Sequence, residues 1–172
     1  MIQDCENVVH FLRDNEIKPR RGCLPKAFRL RNRIKNGKEV KETFISVDRT
    51  CLPTFEKDAK AFSCGKNSKC AVLRVADIRN SEFEYNGHTI SYDVKSEPSF
   101  ALSHGGIYIY CDGKCVMAGY LETIDKNENP GQEKSLLTNF VRSRLANLAS
   151  MHILNINDVI DLSKENQCLK KL

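Results

Sequence analysis

The chain has 172 residues, of which 41% are apolar, so it is long enough to close one hydrophobic core, and we expect a single domain over residues 1–172. Charged residues make up 28% of it, as in ordinary soluble proteins, and no apolar run approaches the roughly 18 residues that a membrane helix needs. The first residues lack the basic stretch and apolar run of a secretory signal, so we expect a cytoplasmic protein that does not engage a membrane.

Helices are predicted near both ends of the chain and once in its interior. The clearest of them, over residues 132–151, has apolar residues at three- and four-residue steps that form one stripe. Asp4 is a suitable N-cap for the first of them, and Pro53 suits the first turn of the second. The predicted helices cover about residues 4–15, 53–62, 132–151 and 157–165, and residues 125–131 are expected to form an exposed loop.

Strands are predicted on either side of three tight turns. Asn36-Gly37, Asn86-Gly87 and Asp112-Gly113 are strong hairpin signals. The expected strands are 27–35 with 38–47, 81–85 with 88–94, and 106–111 with 114–121, and residues 71–76 form a seventh, buried strand. The predicted fold class is therefore α+β, with a largely antiparallel sheet of six or seven strands built from hairpins. The amphipathic helix 132–151, together with the opening helix, is expected to pack on one face of this sheet.

Positive charge is concentrated in one early segment. Residues 18–38 contain nine basic side chains and no acidic one, whereas the whole chain carries a net charge of +5. A two-residue turn at Asn36-Gly37 predicts the cross-strand pairs Lys35–Lys38, Arg33–Val40, Arg31–Glu42 and Arg29–Phe44. Alternation then places Arg29, Arg31, Arg33 and Lys35 on one face and Phe28, Leu30 and Ile34 on the other. This pattern is typical of a half-buried ribbon with a basic outer surface.

A basic ribbon can follow a phosphate backbone, because arginine forks match phosphate oxygens. The candidate polyanion-binding residues are Arg20, Arg21, Lys26, Arg29, Arg31, Arg33 and Lys35. Two alternatives stay open: an edge hairpin protected by charge against aggregation, with Arg31 and Glu42 as an ordinary pair, and a surface for an acidic protein partner. No zinc-finger, helix-turn-helix or RNP motif occurs, so we expect any nucleic-acid contact to be made to the backbone.

A second candidate site combines two polar segments. Ser46, Asp48 and Arg49 lie at a predicted strand end, and His104 precedes Gly105-Gly106 and an apolar strand. If these segments meet, His104 would transfer a proton, Asp48 would orient it, and Arg49 would bind an oxyanion or phosphate. The alternative is a hydrogen-bonded histidine at a strand entry and a surface Asp48–Arg49 salt bridge. The common nucleotide, dinucleotide, metalloprotease and hydrolase fingerprints are absent, and we predict no cofactor.

Eight cysteines permit three interpretations: free thiols, disulfides or metal ligands. The closest pairs are Cys64–Cys70 and Cys111–Cys115, and no Cys-x2-Cys spacing occurs. A two-residue turn at Asp112-Gly113 puts Cys111 and Cys115 on opposite faces, whereas a three-residue loop would pair them directly. We expect free thiols and no metal ligands.

One resemblance rests on short segments in a fixed order. The basic segment with Ala27-Phe28-Arg29, the run Ile45 to Arg49, and Pro98 and His104 before an apolar strand are similar to small bacterial proteins of mobile or defence gene neighbourhoods. The similarity covers about residues 10–110, departs from those proteins at Ser103-His104-Gly105, and implies no fold or activity.

The function expected from the residues is binding. We predict a small accessory module whose basic hairpin engages nucleic acid or another polyanion. A phosphate- or nucleotide-directed enzyme that uses His104, Asp48 and Arg49 is the main alternative. An interaction protein for an acidic partner is the third, and whether the chain is an enzyme stays open.

Overall fold

The computed structural model describes residues 1–19, 22–62, 68–128, 136–150 and 152–165. Within these ranges the helices are α1 (Phe55–Phe62), α2 (Val75–Arg79), α3 (Tyr120–Glu128), α4 (Leu136–Ser150) and α5 (Ile156–Glu165). The strands are β1 (Asn7–Leu12), β2 (Ile17–Lys18), β3 (Gly22–Cys23), β4 (Asn32–Lys35), β5 (Lys38–Lys41), β6 (Phe44–Arg49), β7 (Lys69–Arg74), β8 (Phe83–Tyr85), β9 (His88–Ser96), β10 (His104–Cys111), β11 (Lys114–Cys115) and β12 (Ile153–Asn155). Short 3-10 helices cover Asp14–Glu16 and Pro25–Phe28.

One antiparallel sheet organises the described part of the chain and confirms the α+β class. Its strand order is β12-β7-β1-β6-β10-β9-β8, and β11 pairs with β10 as an eighth strand. Two further two-stranded sheets, β2–β3 and β4–β5, stand beside it. No helix within the described ranges has the length and apolar character needed to cross a membrane.

The opening helix predicted over residues 4–15 is wrong, because residues 7–12 form the inner strand β1 between β6 and β7. Val8 and Val9 are both fully buried, Val8 in the main core and Val9 in a second cluster on the opposite face. A strand covered on both faces carries a continuous apolar run, which does not show the alternation of a half-exposed strand. Asp4 does not cap a helix; its carboxylate pairs with Arg79 instead.

Helices cover the sheet from both sides. Leu145 of α4 and Ile107 of β10 belong to one buried cluster, and the Tyr92 hydroxyl donates to the backbone oxygen of Val141 at 3.2 Å. This confirms an amphipathic helix packed on one face. On the other face, Val159 of α5 packs with Val9 and with residues of α1 over β1 and β7.

Most of the other predicted helices and strands are confirmed with small shifts of their ends. Helices α1 and α5 match the predictions at 53–62 and 157–165, and α4 matches the described part of 132–151. Strands β7, β8, β9 and β10 lie where they were expected, but the strand predicted over 114–121 ends at Cys115.

The loop expected over residues 125–131 is wrong as far as residue 128, because residues 120–128 form α3. Residues 129–131 lie outside the described ranges. Asp125 explains the difference, since its side chain is only 3% exposed. It accepts the Leu137 N–H at 2.8 Å, at the start of α4, and the Tyr85 hydroxyl at 3.0 Å. A carboxylate at a helix N-terminus is stabilising, so this polar residue belongs inside the fold.

All three predicted hairpin turns are confirmed. Asn36, Asn86 and Asp112 have φ near 50°, and the glycine after each also has positive φ. Two successive left-handed residues are the geometry of a type I′ turn. The turn at Asp112-Gly113 pairs Cys111 with Lys114, so Cys111 is buried and Cys115 is exposed, as the two-residue turn predicts.

Candidate functional site

Strands β4 and β5 form a ribbon that stands apart from the main sheet. The register pairs Arg33 with Val40 and Lys35 with Lys38, as predicted, and neither strand pairs with a third one within the described residues. All four residues of β5 are exposed. The ribbon, defined as residues 32–41, therefore presents both of its faces to solvent.

The expected half-buried character of this hairpin is wrong for the ribbon itself. Phe28 is fully buried, but it belongs to the 3-10 helix Pro25–Phe28 and not to a strand. Ile34 and Val40 are 75% and 45% exposed. Phe44, predicted to pair with Arg29, begins β6 and pairs with Tyr108 in the main sheet. The apolar anchor thus lies before the ribbon, and the ribbon itself has no core beneath it.

The predicted cations fall into three groups. Lys26 and Arg29 are exposed near the base of the ribbon, and Arg31 is half-buried there. Arg33 and Lys35 belong to β4, but their side chains lie outside the described part of the structure. Arg20 and Arg21 also lie outside the described ranges. Lys38 and Lys41, which the prediction did not include in the site, are exposed along β5.

Arg31 is held by intramolecular contacts that the sequence did not predict. Its guanidinium lies 3.5 Å from the buried carboxylate of Glu16, and its backbone N–H donates to Glu42 Oε2 at 2.8 Å. The pKa of Arg31 lies below its ordinary value, first because burial removes water and next because Arg13 and Arg29 place like charges nearby. Three arginines therefore gather at the base of the ribbon.

Arg13 is a residue that the sequence prediction missed. It directly follows β1 and is exposed. The predicted opening helix had placed it on a different element, so nothing linked it to the basic segment. The cross-strand position of β1 beside β6, which continues from the ribbon, brings it to the same region. We call Arg13, Arg29 and Arg31 the arginine cluster.

His104 and Asp48 meet in the second candidate site, because they are register partners on β10 and β6. His104 Nδ1 lies 3.3 Å from Asp48 Oδ1, and both side chains are buried. The Ser103 hydroxyl lies 3.4 Å from the same carboxylate oxygen and 2.8 Å from Asp58 Oδ2. We call Ser103, His104, Asp48 and Asp58 the polar cluster.

Arg49 and Ser46 do not join the polar cluster. Arg49 follows Asp48 on the strand and so points to the opposite face, where it binds Glu6 through two hydrogen bonds of 2.9 and 3.0 Å. The Ser46 side chain is exposed, and its backbone oxygen faces His10 Nδ1 at 2.8 Å. The expected surface Asp48–Arg49 salt bridge is also absent from the described ion pairs, which place the two residues with different partners.

The geometry of the polar cluster is that of a buried anchor. Ser103 is fully buried, and its N–H and hydroxyl lie 3.1 and 2.8 Å from Asp58 Oδ2. Burial raises the pKa of Asp58, but the hydrogen bonds from the Ser103 hydroxyl and N–H outweigh it, so this pKa lies below its ordinary value. An ionised Asp58 therefore fixes the segment before β10 to α1. Neither Ser103 nor Asp58 was predicted, because their roles depend on contacts across 45 residues.

Comparison of the chain with protein-family models, with curated proteins and with solved structures gives no match.

Proposed function

We propose that the protein is a small nucleic-acid-binding module that contacts the phosphate backbone through its ribbon and arginine cluster. The observation that carries the proposal is the ribbon itself: a two-stranded element with its own pairing, exposed on both faces, in the most basic part of the chain. Residues 29–42 contain six basic and two acidic side chains.

The two acidic residues of this region differ in their contacts. Glu42 is engaged by the Arg31 N–H, whereas Glu39 is exposed on the ribbon. Lys38 and Lys41 are also exposed, and Arg29 lies at the ribbon's base. The six basic side chains of residues 29–42 outnumber the two acidic ones, and this excess of positive charge attracts a polyanion.

The dimensions of the ribbon suit a nucleic-acid backbone. Four residues per strand extend about 13 Å, which corresponds to about four base steps at 3.4 Å per phosphate on one strand. Lysine provides a point charge, and arginine adds a planar fork that can hold phosphate oxygens by two hydrogen bonds. Exposed Ile34 offers an apolar contact for sugar or base edges at the same element.

The polar cluster supports a second candidate function, a phosphate- or nucleotide-directed reaction at His104. The observation that favours it is the contact of 3.3 Å between His104 and Asp48, which suits a carboxylate-oriented proton carrier. The role first assigned to Arg49 no longer applies, because Glu6 holds its guanidinium. The Ser103 hydroxyl donates to Asp58 Oδ2 at 2.8 Å, and this contact helps to hold the segment before β10 against α1.

Fluorescence anisotropy tests the proposal and separates it from the second candidate. The purified full chain is titrated against labelled single- and double-stranded DNA and RNA of 20 nucleotides, at salt concentrations from about 50 to 200 mM. Four phosphate contacts predict an affinity that falls by about 100-fold over this range. His104→Ala is expected to leave the affinity unchanged.

Two outcomes would contradict the binding proposal. Absence of binding at the lowest salt would exclude nucleic acid as the ligand of the ribbon and favour an acidic protein partner. Binding that His104→Ala abolishes, with the far-UV circular dichroism spectrum preserved, would move the contact to the polar cluster and favour the second candidate.

A further inference from the structure

A second group of chemically active side chains lies at the opposite side of β10 from β6. His88, Cys111 and Asp112 bring one imidazole nitrogen, one thiol sulfur and one carboxylate oxygen within 4.8 Å of one another. His88 Nδ1 lies 2.7 Å from Asp112 Oδ2, and Cys111 Sγ lies 3.7 Å from the same oxygen. Neither the ribbon nor the polar cluster includes these residues.

The strand register creates this arrangement. Cys111 of β10 lies opposite Ile90 of β9, and His88 precedes Ile90 by two residues on the same strand. The side chains of Cys111, Ile90 and His88 therefore lie on the same face of the sheet. Asp112 is the first residue of the type I′ turn that follows, with φ of 51°. The group is therefore built on two paired strands and one tight turn.

Backbone hydrogen bonds hold the aspartate in place. The Thr89 N–H donates to Asp112 Oδ1 at 2.9 Å, and the Asp112 N–H donates to the Thr89 backbone oxygen at 2.9 Å. One carboxylate oxygen is thus fixed by the backbone, and the other faces His88 and Cys111. A hydrogen-bonded carboxylate that leaves one oxygen for a cation is the arrangement that orients a metal ligand.

We propose that His88, Cys111 and Asp112 form a binding site for Zn²⁺ or a chemically similar divalent transition-metal ion. One nitrogen, one sulfur and one oxygen ligand match the preferences of zinc and do not match those of Mg²⁺ or Ca²⁺, which take oxygen ligands. Metal–ligand bonds of about 2.0–2.3 Å in tetrahedral geometry place neighbouring ligand atoms about 3.3–3.7 Å apart. The Cys111–Asp112 separation already lies in this range, and the His88–Asp112 separation must widen by less than about 1 Å.

Exposure determines the fourth ligand. Cys111 is buried at the base of the site, whereas the His88 and Asp112 side chains are 30% and 49% exposed. An ion held by three protein ligands would have its fourth position open to solvent, where a water molecule completes the tetrahedron.

The protons balance in a simple way. The Asp112 carboxylate binds as the anion, with Oδ1 on the Thr89 N–H. Metal binding replaces the proton of the Cys111 thiol by a metal–sulfur bond and releases that proton to solvent. Metal binding also replaces the hydrogen bond between His88 Nδ1 and Asp112 Oδ2 by a metal–nitrogen bond, so the single proton of the neutral ring then lies on Nε2. No oxidant or reductant takes part.

Cysteine spacing alone could not reveal this site, and the proposal departs from our expectation of no metal ligands, which stays untested. The histidine comes from a strand that begins 23 residues before the cysteine, and only the pairing of β9 with β10 brings them together. The near pair Cys111–Cys115 had drawn attention to the same turn, but its two sulfurs lie on opposite sides.

Cobalt absorption spectroscopy on the full chain, under anaerobic reducing conditions, tests the proposal. Co²⁺ in a tetrahedral site with one thiolate gives intense visible bands and a sulfur charge-transfer band in the near ultraviolet. We expect saturation at one Co²⁺ per chain and displacement by Zn²⁺. His88→Ala and Cys111→Ser should each weaken Co²⁺ binding by more than the roughly 10–100-fold that loss of a ligand's hydrogen-bond partner costs. Cys115→Ser, on the other side of the same turn, should match the unaltered protein.

Three results would overturn the proposal: no tetrahedral bands up to 1 mM Co²⁺, bands that persist in both Cys111→Ser and His88→Ala, or bands that Cys115→Ser removes. His88→Ala changes a half-exposed residue, so it remains informative if Cys111→Ser fails to fold. Thermal unfolding gives an independent readout, since Zn²⁺ should raise the midpoint of the unaltered protein and of Cys115→Ser and leave that of His88→Ala unchanged.

Discussion

Arg49 shows at the scale of single residues how a side chain with a plausible chemical role can be engaged by the fold. Its guanidinium and the Glu6 carboxylate are 13% and 5% exposed and share two hydrogen bonds. Cys51 Sγ also lies 3.0 Å from Glu6 Oε2. The sequence places Arg49 beside Asp48, but strand alternation separates them, and the partner that holds Arg49 lies 43 residues earlier.

The buried pair predicts a large and specific loss of stability. Arg49→Ala leaves the Glu6 carboxylate buried without its main partner, and we expect the free energy of unfolding to fall by about 3 kcal/mol. Urea denaturation at pH 7 measures this. Lys60→Ala, which removes the exposed i,i+4 partner of Glu56, is the matched control and should cost less than about 0.5 kcal/mol. Similar losses in both variants would contradict a stabilising role for the Glu6–Arg49 pair.

Glu6 also predicts the pH dependence of stability. Burial raises the pKa of Glu6, but hydrogen bonds from Arg49, the Gln3 backbone and Cys51 outweigh it, so the folded-state pKa lies below the ordinary value of 4.5. A depressed carboxylate pKa stabilises the fold above the unfolded-state value, and this contribution is lost as the pH falls through the folded-state pKa. Between pH 6 and pH 3 the unaltered protein should therefore lose more stability than Glu6→Gln. Parallel urea denaturation curves over that interval would contradict this account.

At the scale of secondary structure, short turn sequences predicted the hairpins correctly, whereas a strand that depends on distant pairing partners was not predicted. Each I′ turn depends on two adjacent residues, so Asn36-Gly37, Asn86-Gly87 and Asp112-Gly113 located all three hairpins. Strand β1 depends on β6 and β7, which are distant in sequence, and its run of Val8, Val9, Phe11 and Leu12 is compatible with a buried helix as well as with a buried strand. β-branched valines at two successive positions were the available hint of a strand.

The ribbon predicts that function and folding can be separated within one element. Because β4 and β5 pair with no other strand in the described part of the chain, and Ile34 and Val40 are exposed, replacing the ribbon should remove little buried surface. The Glu42 N–H donates to the Arg31 backbone oxygen at 2.9 Å, so the dipeptide Asn-Gly can connect these two residues as a shorter hairpin.

In this shortened chain we expect the melting temperature, followed by circular dichroism, to change by less than about 4 °C, since the loss is about 1 kcal/mol or less. Nucleic-acid affinity should fall at the same time. A drop in the melting temperature much larger than this would show that the ribbon supports the core.

At the scale of the whole molecule, the sequence predicted the architecture better than the sites. The α+β class, the antiparallel sheet and the helix packed on it follow from turn signals and apolar periodicity, which act over short distances. The sites depend on which strands become neighbours. The pairing of β6 with β10 brings His104 to Asp48, and the pairing of β9 with β10 brings His88 to Cys111. Neither pairing could be read from one segment alone.

The distribution of charge is the property of the whole molecule that the proposed function depends on. The net charge is +5, yet residues 18–38, which include most of the ribbon, contain nine basic side chains and no acidic one. If the ribbon binds phosphates, removing charge there should have a greater effect than removing the same charge elsewhere. Lys38 and Lys41 of β5 and Lys57 and Lys69 of α1 and β7 are all exposed, which makes a comparison at equal net charge possible.

The most direct test compares two double variants, one that removes Lys38 and Lys41 and one that removes Lys57 and Lys69. The salt dependence of nucleic-acid affinity is measured for both by fluorescence anisotropy between about 50 and 200 mM salt. If Lys38 and Lys41 each contact a phosphate, Lys38→Ala/Lys41→Ala should lower the slope of log affinity against log salt by about 2, because each lost contact releases about one counterion fewer. Lys57→Ala/Lys69→Ala should keep the slope of the unaltered protein. Equal slopes in the two variants would contradict binding through the ribbon.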